Sequence, residues 1–385
     1  MRTVIVFFAG NEVGGAASHL RTWAEGLAEA RTQYQYRFVS LGDGPLASAV
    51  ERTGGSLTKI TGGFRSVIDA LARIIRQERA WLLHSHGPRM NILAAYAAKR
   101  QQIPWTATIH SNPLYDFLGH PLKSFLFPKL HLWHLRQASG LFVVQPTLGD
   151  ILPCKTILEV PNAIFLAPPA RSRHEYRAFW HKQLRLPTST RFMGVAARLD
   201  PVKNIDVLIQ SVAKIPDPDV HLCIAGDGRE RATLEVLADR LGVRDRVHFL
   251  GFLASVEEFY GALDVHVLPS KSEGAPTSVL EAGFYGAANV GSDIPALRRM
   301  LLNGEAGEMV PVGDVQALAS AIHRLFHDDV LRNHYVQVFR EQVLPLYSRD
   351  RMIAAYERGY TVLEEDAVRT GKIVPLENRT EWLRE

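Results

Sequence analysis

Residues 265–282 read VHVLPSKSEGAPTSVLEA, an apolar segment followed by a polar loop and a second apolar segment. The run Val265–Pro269 is apolar and contains β-branched residues, which is typical of a buried strand. From about Ser278 the apolar residues have helical spacing. Strand, loop and helix in this order indicate a parallel βαβ unit, in which the loop after the strand is the usual place for a ligand.

The same alternation continues in both directions along the chain. Further strands are predicted at Thr3–Phe8, Tyr36–Leu41, Trp81–His84, Trp105–Ile109, Phe192–Ala197, His221–Ala225, Val247–Leu250 and Ala288–Gly291. Helices are predicted between them at about Ser18–Ala30, Val67–Arg79, Met90–Lys99, Ile205–Lys214 and Arg229–Leu241. Strands that alternate with helices predict an α/β chain with doubly wound parallel sheets.

A boundary interrupts the alternation after about residue 160. The stretch VPNAIFLAPPARSR, residues 160–173, is rich in proline and has no periodicity, and the alternation resumes only after Thr190. A length of 385 residues is ample for two domains. We predict an N-terminal domain over residues 1–165, a C-terminal domain over 166–348, and a final long helix with a charged tail over 349–385.

Composition excludes several classes of protein. Hydrophobic residues make up 46% and charged residues 22% of the chain, which is ordinary for a globular protein and argues against disorder. Two cysteines, Cys154 and Cys223, are too few for a disulfide framework. The sequence has no run of 18 apolar residues, and the segment MRTVIVFFAG at its start is too short for a signal peptide. We expect a soluble protein of a reducing, cytoplasmic compartment.

Charge is distributed unevenly along the chain. Residues 1–140 carry 16 Lys and Arg against 8 Asp and Glu, whereas residues 141–385 carry 28 against 32. A basic half favours an anionic partner such as a nucleic acid, a phosphorylated substrate or an acidic membrane surface. A solvated face without a partner explains the same charges equally well.

Two glycines follow the first predicted strand. Gly14 and Gly15 precede the first helix, where backbone amides and the helix N-terminus can approach an anion. The pattern differs from the G-x-G-x-x-G dinucleotide fingerprint, so a nicotinamide cofactor is not indicated. A plain tight turn is an equally good interpretation of this pair.

Three histidines are predicted at the C-terminal ends of strands. His84, His86 and His110 lie where parallel sheets place their ligand sites, so a metal site is one interpretation. The sequence has neither an H-E-x-x-H helix nor a cysteine cluster to accompany them. A hydrogen-bonding or substrate-facing role is the favoured interpretation, above all for His110.

Two cations follow the strand Phe192–Ala197. Arg198 and Lys203 are five residues apart, at a strand end beside a helix N-terminus, and both can face one diphosphate. The alternative is a pair of solvated surface charges. The position at a strand end favours the ligand.

Two glutamates follow the strand Val265–Pro269. Glu273 lies beside Gly274 in the loop and is well placed to accept hydrogen bonds from hydroxyl groups. Glu281 has a structural alternative, because the segment Ser278–Glu281 fits a capping box in which the glutamate only closes the start of the helix.

Taken in order, these loops resemble those of the family 4 glycosyltransferases. The most specific part is the pair Glu273 and Glu281, with seven residues between them, preceded by Arg198 and Lys203. Shorter similar motifs extend the resemblance over most of the chain: Gly14-Gly15, Ile109-His110, Val160-Pro161-Asn162, Gly194–Lys203, Ile224–Gly228, Val247–Gly251 and Gly313-Asp314.

The resemblance implies a fold and a reaction. Members of this family are retaining enzymes of the α/β GT-B fold, with two Rossmann-like, doubly wound domains facing each other across a cleft, and they use nucleotide-sugar donors. By the same resemblance, the final helix and tail over 349–385 would cross back to the N-terminal domain. We therefore expect a hexosyltransferase-type glycosyltransferase that needs no cofactor and no metal. A UDP-sugar is favoured on family frequency alone, and nucleic acid is not an expected partner.

The resemblance also implies roles for individual residues. Arg198 and Lys203 would bind the donor diphosphate and stabilise the leaving group. Glu281 would hold the nucleotide ribose, and Glu273 would contact the transferred sugar, with His110 beside that sugar. The other residues expected at the donor are Gly14, Gly15, Asn162, Phe252, Leu253, Gly274, Ala275, Pro276, Thr277 and Ser278. Ala275 stands where a large residue is common in the family, which leaves the donor sugar open.

Residues 113–136, PLYDFLGHPLKSFLFPKLHLWHLR, lie in the basic half, in the domain that supplies the acceptor side in this family. The aromatic and cationic residues that alternate there are Tyr115, Phe117, Lys123, Phe125, Phe127, Lys129, Trp133 and Arg136. Such a mixture suits the interface of an anionic membrane, although the aromatics are equally well explained as ordinary core. We expect a lipid-linked or saccharide acceptor of cell-envelope or exopolysaccharide synthesis, and a peripheral location at the inner face of the membrane.

Three alternatives stay open at this point. The acceptor can be a small soluble molecule, and the chain can be a catalytically weak homologue that acts as a binding or scaffold subunit. An epimerase or phosphorylase with the same two-domain architecture is the third. The intact set of Arg198, Lys203, Glu273 and Glu281 favours the active transferase.

Overall fold

The computed structural model of the chain describes residues 1–113, 121–164, 166, 168–253 and 255–371, and of residues 121–126 it describes the backbone alone. The chain separates into two units. Unit 1 comprises Met1–Ala163 together with the chain from Arg349 onward, and unit 2 comprises Ile164–Ser348. The division falls at Ala163, beside the predicted boundary at residue 165.

Within its described residues, unit 1 is built on a parallel sheet of seven strands. The strands are β1 (Arg2–Ala9), β2 (Tyr34–Leu41), β3 (Leu57–Ile60), β4 (Leu82–His86), β5 (Trp105–Ile109), β6 (Gly140–Val143) and β7 (Ile157–Glu159). The helices between them are α1 (Gly15–Glu29), α2 (Pro45–Arg52), α3 (Phe64–Gln77), α4 (Pro88–Gln101) and α5 (Pro121–Leu135). The order β3-β2-β1-β4-β5-β6-β7 reverses between β1 and β4, so the ligand edge lies at the C-terminal ends of these two strands.

Unit 2 repeats this plan with six parallel strands in the part of the chain that the structure describes. The strands are β8 (Arg191–Ala196), β9 (Val220–Ala225), β10 (Val247–Gly251), β11 (Val265–Leu268), β12 (Ala288–Ser292) and β13 (Glu308–Val310). The helices are α6 (Arg173–Leu184), α7 (Ile205–Val212), α8 (Arg231–Arg240), α9 (Glu257–Ala262), α10 (Thr277–Phe284), α11 (Pro295–Met300), α12 (Val315–His327) and α13 (Asp329–Val338). The order β10-β9-β8-β11-β12-β13 reverses between β8 and β11.

The last helix of the described residues belongs to unit 1. This helix, α14 (Arg349–Arg369), contacts α1 and β7. Glycine allows it to approach the sheet closely, because a Cβ at Gly359 would lie 2.3 Å from Cε1 of Phe142 in β6. The helix therefore supplies residues to unit 1 although unit 2 separates it from the other unit 1 elements in sequence.

Short helical turns complete the description: 3₁₀ turns at Pro146–Ile151, Pro201–Lys203, Arg244–Arg246, Leu302–Gly304 and Leu344–Tyr347, and a π-helical turn at Phe339–Val343. No helix among the described residues is both long enough and apolar enough to cross a bilayer.

One prediction about local structure is wrong. The alternation of strands and helices is predicted to stop between about Pro161 and Thr190, but the helix α6 lies within this stretch. A capping box begins this helix, because the Ser172 side chain accepts from the N–H of Glu175 and the Glu175 carboxylate accepts from the N–H of Ser172. The pattern Ser-x-x-Glu is visible in the sequence, and the prolines before it obscured it.

Candidate active site

Two loops interlock at the C-terminal edge of the unit 2 sheet. The loop after β8 runs beside the loop after β9, and the N–H of Leu199 donates to the carbonyl of Asp227 at 2.9 Å. A Cβ at Gly226 would lie 2.0 Å from the carbonyl oxygen of Ala197, so glycine is required at this crossing. These backbone contacts fix the loop that leads to Lys203.

Lys203 and Glu273 meet where the strand order of unit 2 reverses. The Nζ of Lys203 donates to Oε1 of Glu273 at 2.6 Å, and the hydroxyl of Ser270 donates to the same oxygen at 2.6 Å. The N–H of Lys271 donates to the carbonyl of Val202 at 2.8 Å, which joins the two loops through the backbone as well. The side chain of Lys203 is 20% exposed and that of Glu273 is 9% exposed. Two predicted site residues from loops far apart in sequence are thus brought together.

Arg198 lies in the same loop but has a different partner. Its Nε is 2.9 Å from Oδ2 of Asp200, and its side chain is 74% exposed. Arg229 approaches the other oxygen of Asp200 at 3.6 Å. The side chain of Arg198 is therefore accessible to solvent, whereas that of Lys203 is mostly buried.

Glu281 lies in α10, and the capping-box interpretation of it is wrong. The helix begins at Thr277 with Pro276 as the N-cap residue, so Ser278 lies inside the helix and does not cap it. The carboxylate of Glu281 instead acts electrostatically on the buried hydroxyl of Tyr260. Burial, together with that carboxylate, raises the pKa of Tyr260 well above its usual range.

The other predicted donor residues of unit 2 lie along the same edge. Gly274, Ala275 and Pro276 form the loop before α10, and Thr277 and Ser278 are its first two residues. All five are partly exposed.

The two residues expected to flank the base differ from each other. Phe252 follows β10, and its side chain is 86% exposed, whereas Leu253 packs partly against the core. The carbonyl of Gly251 accepts from the N–H of Gly226 at 2.7 Å, which ties the end of β10 to the loop after β9. An exposed phenylalanine on a fixed backbone offers a ring face to a planar ligand.

In unit 1, the glycine pair lies at the start of α1. Gly14 is the N-cap residue and has a φ of 81°, a conformation that favours glycine. A Cβ at Gly14 or at Gly15 would meet nothing within 4 Å. The turn therefore borders open space at the edge where a ligand is expected.

His110 follows β5 and belongs to a cluster of histidines. Its Nε2 is 3.2 Å from Nδ1 of His86, at the end of β4. The ring of His19, in α1, meets the ring of His110 edge-on, with centroids 4.9 Å apart. His110 is partly exposed, whereas His19 and His86 are buried. The cluster lies at the C-terminal ends of β4 and β5, as predicted for two of its members.

His19 is fixed by hydrogen bonds to Asn162 and to Tyr356 of α14. Nδ1 of His19 is 2.5 Å from Oδ1 of Asn162, and Nε2 of His19 is 2.7 Å from the hydroxyl of Tyr356. Because the amide oxygen of Asn162 can only accept, Nδ1 carries the proton and Nε2 accepts from Tyr356. Asn162 is 4% exposed, which suits a residue that fixes His19 rather than one that touches a ligand.

The same hydrogen-bond chain continues to His84. The hydroxyl of Thr108 lies 2.9 Å from that of Tyr356 and 2.8 Å from Nε2 of His84. Nδ1 of His84 lies 2.6 Å from the hydroxyl of Tyr360, four residues after Tyr356 in α14. This hydrogen-bond chain gives partners to the hydroxyls of Thr108, Tyr356 and Tyr360 and to both ring nitrogens of His19 and His84, with both histidines neutral.

Burial sets the charge of this cluster. It lowers the pKa of His19 to about 4, and burial together with neighbouring histidines lowers the pKa values of His84, His86 and His110 well below their usual range. At neutral pH these imidazoles are uncharged, so His110 acts as a hydrogen-bonding group rather than as a cation.

The hydrogen bonds of His84, His86 and His110 argue against the interpretation of these residues as a metal site. Both ring nitrogens of His84 are engaged by hydroxyl groups, and His86 and His110 contact each other. Within the described residues, no group of three or more His, Cys, Asp or Glu is arranged to hold a metal ion.

Sequence reasoning missed several residues that build these sites. They are Ser270 and Asp200 beside the cations, Tyr260 beside Glu281, and His19, Thr108, Tyr356 and Tyr360 in the histidine chain. The spacing of Tyr356 and Tyr360 by four residues on a helix was a weak signal that both face one neighbour. The other contacts arise only in the tertiary structure.

Two family models match most of the chain in order. The model described as Glycosyltransferase Family 4 matches residues 13–154, and the model described as Glycosyl transferases group 1 matches residues 177–342. The chain therefore belongs to the glycosyltransferases that these models describe, and it is a glycosyltransferase of the family 4 kind.

Relatives and solved structures agree with this assignment. The N-acetyl-alpha-D-glucosaminyl L-malate synthase of Bacillus anthracis is 25% identical over 79% of this chain and 80% of its own length. The phosphatidyl-myo-inositol mannosyltransferase of Mycobacterium leprae is 26% identical over 86% of this chain and 88% of its own. The structure of Anabaena HepE in complex with UDP-glucose superposes with a TM-score of 0.79, at 17% identity, over 95% of this chain and all of HepE. The expected GT-B fold is thereby confirmed.

The buried histidines predict an acid-sensitive unit 1. The pKa of His19 is about 4 in the folded chain, against 6.5 for an ordinary histidine, so the unfolded chain takes up the proton first as pH falls. Stability is then complete above about pH 6.5 and decreases toward pH 4. We expect the titration of His19 alone to lower the free energy of unfolding by about 2 kcal/mol between pH 7 and pH 5.

Urea unfolding at both pH values checks this expectation. His19→Gln should be less stable than wild type at pH 7 and should lose less stability on acidification. An equal loss in wild type and variant would contradict the assignment of His19 as a buried neutral group.

Proposed function

We propose that this protein is a retaining, metal-independent glycosyltransferase that moves a sugar from a nucleotide-sugar donor, a UDP-sugar, to a lipid-linked or saccharide acceptor in cell-envelope or exopolysaccharide synthesis. The main support is the contact between Lys203 and Glu273 at the switch point of unit 2, in a chain that belongs to the glycosyltransferases. Its relatives' names and the UDP-glucose complex of HepE favour the same donor and acceptor classes.

The order of residues along the unit 2 edge fits an extended donor. Phe252, Lys203 and Glu273 follow β10, β8 and β11, which lie within a run of four neighbouring strands. Strands are about 4.8 Å apart, so this edge spans about 14 Å. In the proposed arrangement the base lies against Phe252, the diphosphate against Arg198 and Lys203, and the sugar beside Glu273.

The two cations can stabilise the negative charge that forms on the leaving group. When the bond between the sugar C1 and the phosphate oxygen breaks, negative charge grows on the departing diphosphate. Lys203 has three N–H donors and gives one to Glu273, which leaves donors for phosphate oxygens while the carboxylate fixes the ammonium group. Arg198, being exposed, can approach the same diphosphate from the mouth of the site.

We propose that transfer proceeds on one face of the sugar. The acceptor oxygen forms its bond to C1 on the face from which the diphosphate departs, and an oxygen of the departing phosphate takes the acceptor proton. Configuration at C1 is then retained without a protein nucleophile. Because Arg198 and Lys203 supply the positive charge, a metal ion is not required by this scheme.

His110 is proposed to contact the transferred sugar as a neutral imidazole. The contacts with His86 and His19 fix the ring, and burial keeps it uncharged. A neutral ring can accept a hydrogen bond from a sugar hydroxyl as well as donate one.

An exposed aromatic face on unit 1 supports a membrane-linked acceptor. Phe127, Leu130 and Trp133 lie three residues apart on α5 and are exposed, with Lys129 and Arg136 exposed nearby. The core interpretation is therefore wrong for Phe127 and Trp133. Tyr115 and Phe117 lie outside the described residues, as do the side chains of Lys123 and Phe125.

This face extends over two further helices. The ring of Tyr96, in α4, lies 5.3 Å from that of His134 in α5 and 5.5 Å from that of Phe64 in α3. Phe64 and Tyr96 are both exposed. Contiguous exposed aromatics bordered by cations suit insertion at an anionic membrane surface.

A second acceptor class has its own support. The relative from Bacillus anthracis is named for a small acceptor, L-malate. We therefore treat a small soluble acceptor as the alternative, and the membrane experiment below separates the two.

The diphosphate cations give the first test of the proposal. Arg198→Ala and Lys203→Ala should each lower the turnover of sugar transfer by about 10²–10³-fold, because each removes fixed positive charge from the leaving group. Arg240→Ala, at the exposed end of α8, is the matched control and should retain turnover. Near-normal turnover in both site variants would contradict the assigned role.

Glu281→Gln tests the role of the carboxylate toward the donor. Glutamine keeps the size of the side chain, so the melting temperature should stay close to that of wild type. If the charged carboxylate binds the ribose hydroxyls, affinity for the nucleotide should fall by about tenfold or more. Glu235→Gln, on α8, is the control. Unchanged nucleotide affinity in Glu281→Gln would remove Glu281 from the donor site.

Vesicle sedimentation tests the acceptor side. The protein should sediment with phosphatidylglycerol vesicles but not with neutral phosphatidylcholine vesicles, and added salt should weaken the binding. Trp133→Ser should weaken binding to phosphatidylglycerol vesicles by about tenfold, since it removes an exposed ring from the face that would insert into the membrane. Val236→Ser, which removes an exposed apolar side chain from unit 2, should leave it unchanged. No vesicle binding at low salt, with efficient transfer to a soluble acceptor, would favour the small-acceptor alternative.

A further inference from the structure

A cavity of 340 Å³ lies in unit 2 at the start of strand β11 rather than at its end. Its wall includes Gly261, which precedes β11, and Tyr285 and Gly286, which precede β12. Glu273 follows the other end of β11, a strand of four residues that spans about 13 Å. The cavity is therefore at the opposite edge of the sheet from the residues assigned to the donor.

Three arginines line this cavity. They are Arg171, Arg173 and Arg340, and the rings of Tyr176 and Tyr285 lie beside them. The rest of the wall is proline, glycine, valine and asparagine, and no carboxylate of the described residues lines it. Guanidinium groups pair with phosphate oxygens, and aromatic rings pack against an organic group attached to the phosphate.

Arg173 is anchored but retains donor capacity. Its Nη1 donates to the carbonyl of Gly286 at 2.9 Å, and its Nη2 donates to the carbonyl of Leu263. Its Nε is buried and has no hydrogen-bond partner in the part of the chain that the structure describes. Each Nη of Arg173 carries two N–H groups and gives one to a carbonyl, so a second N–H on each is left as a donor.

Arg340 is held more loosely on the other side of Gly286. Its Nη2 is 3.5 Å from the carbonyl of Phe284, which is long for a hydrogen bond. A Cβ at Gly286 would lie 3.0 Å from that Nη2 and 3.8 Å from Nη1 of Arg173, so the two guanidinium groups flank this glycine. Arg340 also belongs to the π-helical turn Phe339–Val343, and such turns occur frequently at functional sites.

The positive charges repel one another. Burial lowers the pKa of Arg173 to about 10; Asp264 opposes this shift, and Arg177, Arg332 and Arg340 add to it. Asp264, the carboxylate that opposes the shift, is shared with Arg177. An anion between the guanidinium groups would relieve this repulsion.

The carboxylates around the cavity already have partners. Asp264 pairs with Arg177 and lies 3.8 Å from Nη2 of Arg173. Glu258 pairs with Arg171 at 3.3 Å, Asp329 pairs with Arg332 at 2.7 Å, and Glu257 accepts from the hydroxyl of Tyr176. None of these four lines the cavity.

A purely structural role explains part of this arrangement. The carbonyls of Phe284 and Gly286 lie at the C-terminal end of α10, and arginines commonly bond to the last carbonyls of a helix. Helix capping accounts for Arg173 and Arg340. The ion pair with Glu258 accounts for Arg171. Neither contact accounts for an open volume lined by three cations.

We propose that this cavity binds a small phosphorylated metabolite, a phosphate monoester whose phosphate lies between Arg171, Arg173 and Arg340 and whose organic part packs against Tyr176 and Tyr285. A volume of 340 Å³ is within the range of small-ligand sites. The site is separate from the donor site and does not depend on the function proposed above.

Calorimetric titration of the full chain with glucose 6-phosphate tests this proposal, in a buffer free of phosphate and low in chloride. Wild type should bind the phosphate ester saturably and should not bind glucose. Arg340→Gln and Arg171→Gln should each weaken the binding by about tenfold or more, because each removes a charged donor. These two positions are chosen because Arg173 also supports the fold through its two carbonyl contacts.

Two variants with intact cavity arginines complete the experiment. Arg240→Gln and Lys203→Ala should both bind glucose 6-phosphate as wild type does, the first as a charge control and the second because the donor site is not involved. The proposal is overturned if wild type does not bind, if glucose binds equally well, or if both cavity variants bind as wild type does. It is also overturned if binding depends on Lys203 as strongly as on the cavity arginines.

Discussion

The ion pair between Lys203 and Glu273 joins the two loops on which the proposed chemistry of unit 2 depends. The strands β8 and β11 are neighbours in the sheet although some 70 residues separate their loops, and the pair forms where the strand order reverses. Ser270 and the backbone contact between Lys271 and Val202 hold the same junction. A cation and a carboxylate are thus placed within one hydrogen bond of each other before any donor arrives, which is the kind of preorganisation that stabilises a leaving anion.

In unit 1, polar groups are buried next to the sheet edge where a ligand is expected. His19 and His84 are buried, and each ring nitrogen has a hydrogen-bond partner. Tyr356 and Tyr360 come from α14, so this helix is part of the support for the first ligand loop. A fully satisfied network of this kind fixes one geometry, whereas the loss of a single partner leaves a costly buried group.

Much of the fold could be predicted because buried parallel strands are continuous apolar runs. The strand Trp105–Ile109 has the predicted bounds, and the alternation of strands with helices predicted the parallel sheet of each unit. Four strands were missed: β3, β7 and β13 are short, partly exposed edge strands with little pattern, and β6 is a buried run of only four residues. The cations and glutamates were found from loop position and resemblance. The Tyr260 contact and the histidine chain were not, since they join residues that only tertiary packing brings together.

Direct binding of a nucleoside diphosphate tests the central claim, that the switch point of unit 2 recognises the diphosphate of a nucleotide sugar. Calorimetric titration with UDP, GDP and ADP, each compared with its nucleoside, measures the contribution of the diphosphate. We predict that one diphosphate binds at least about 100-fold more tightly than its nucleoside, because two cations contact it. If no diphosphate binds more tightly than its nucleoside, the account of this site is contradicted.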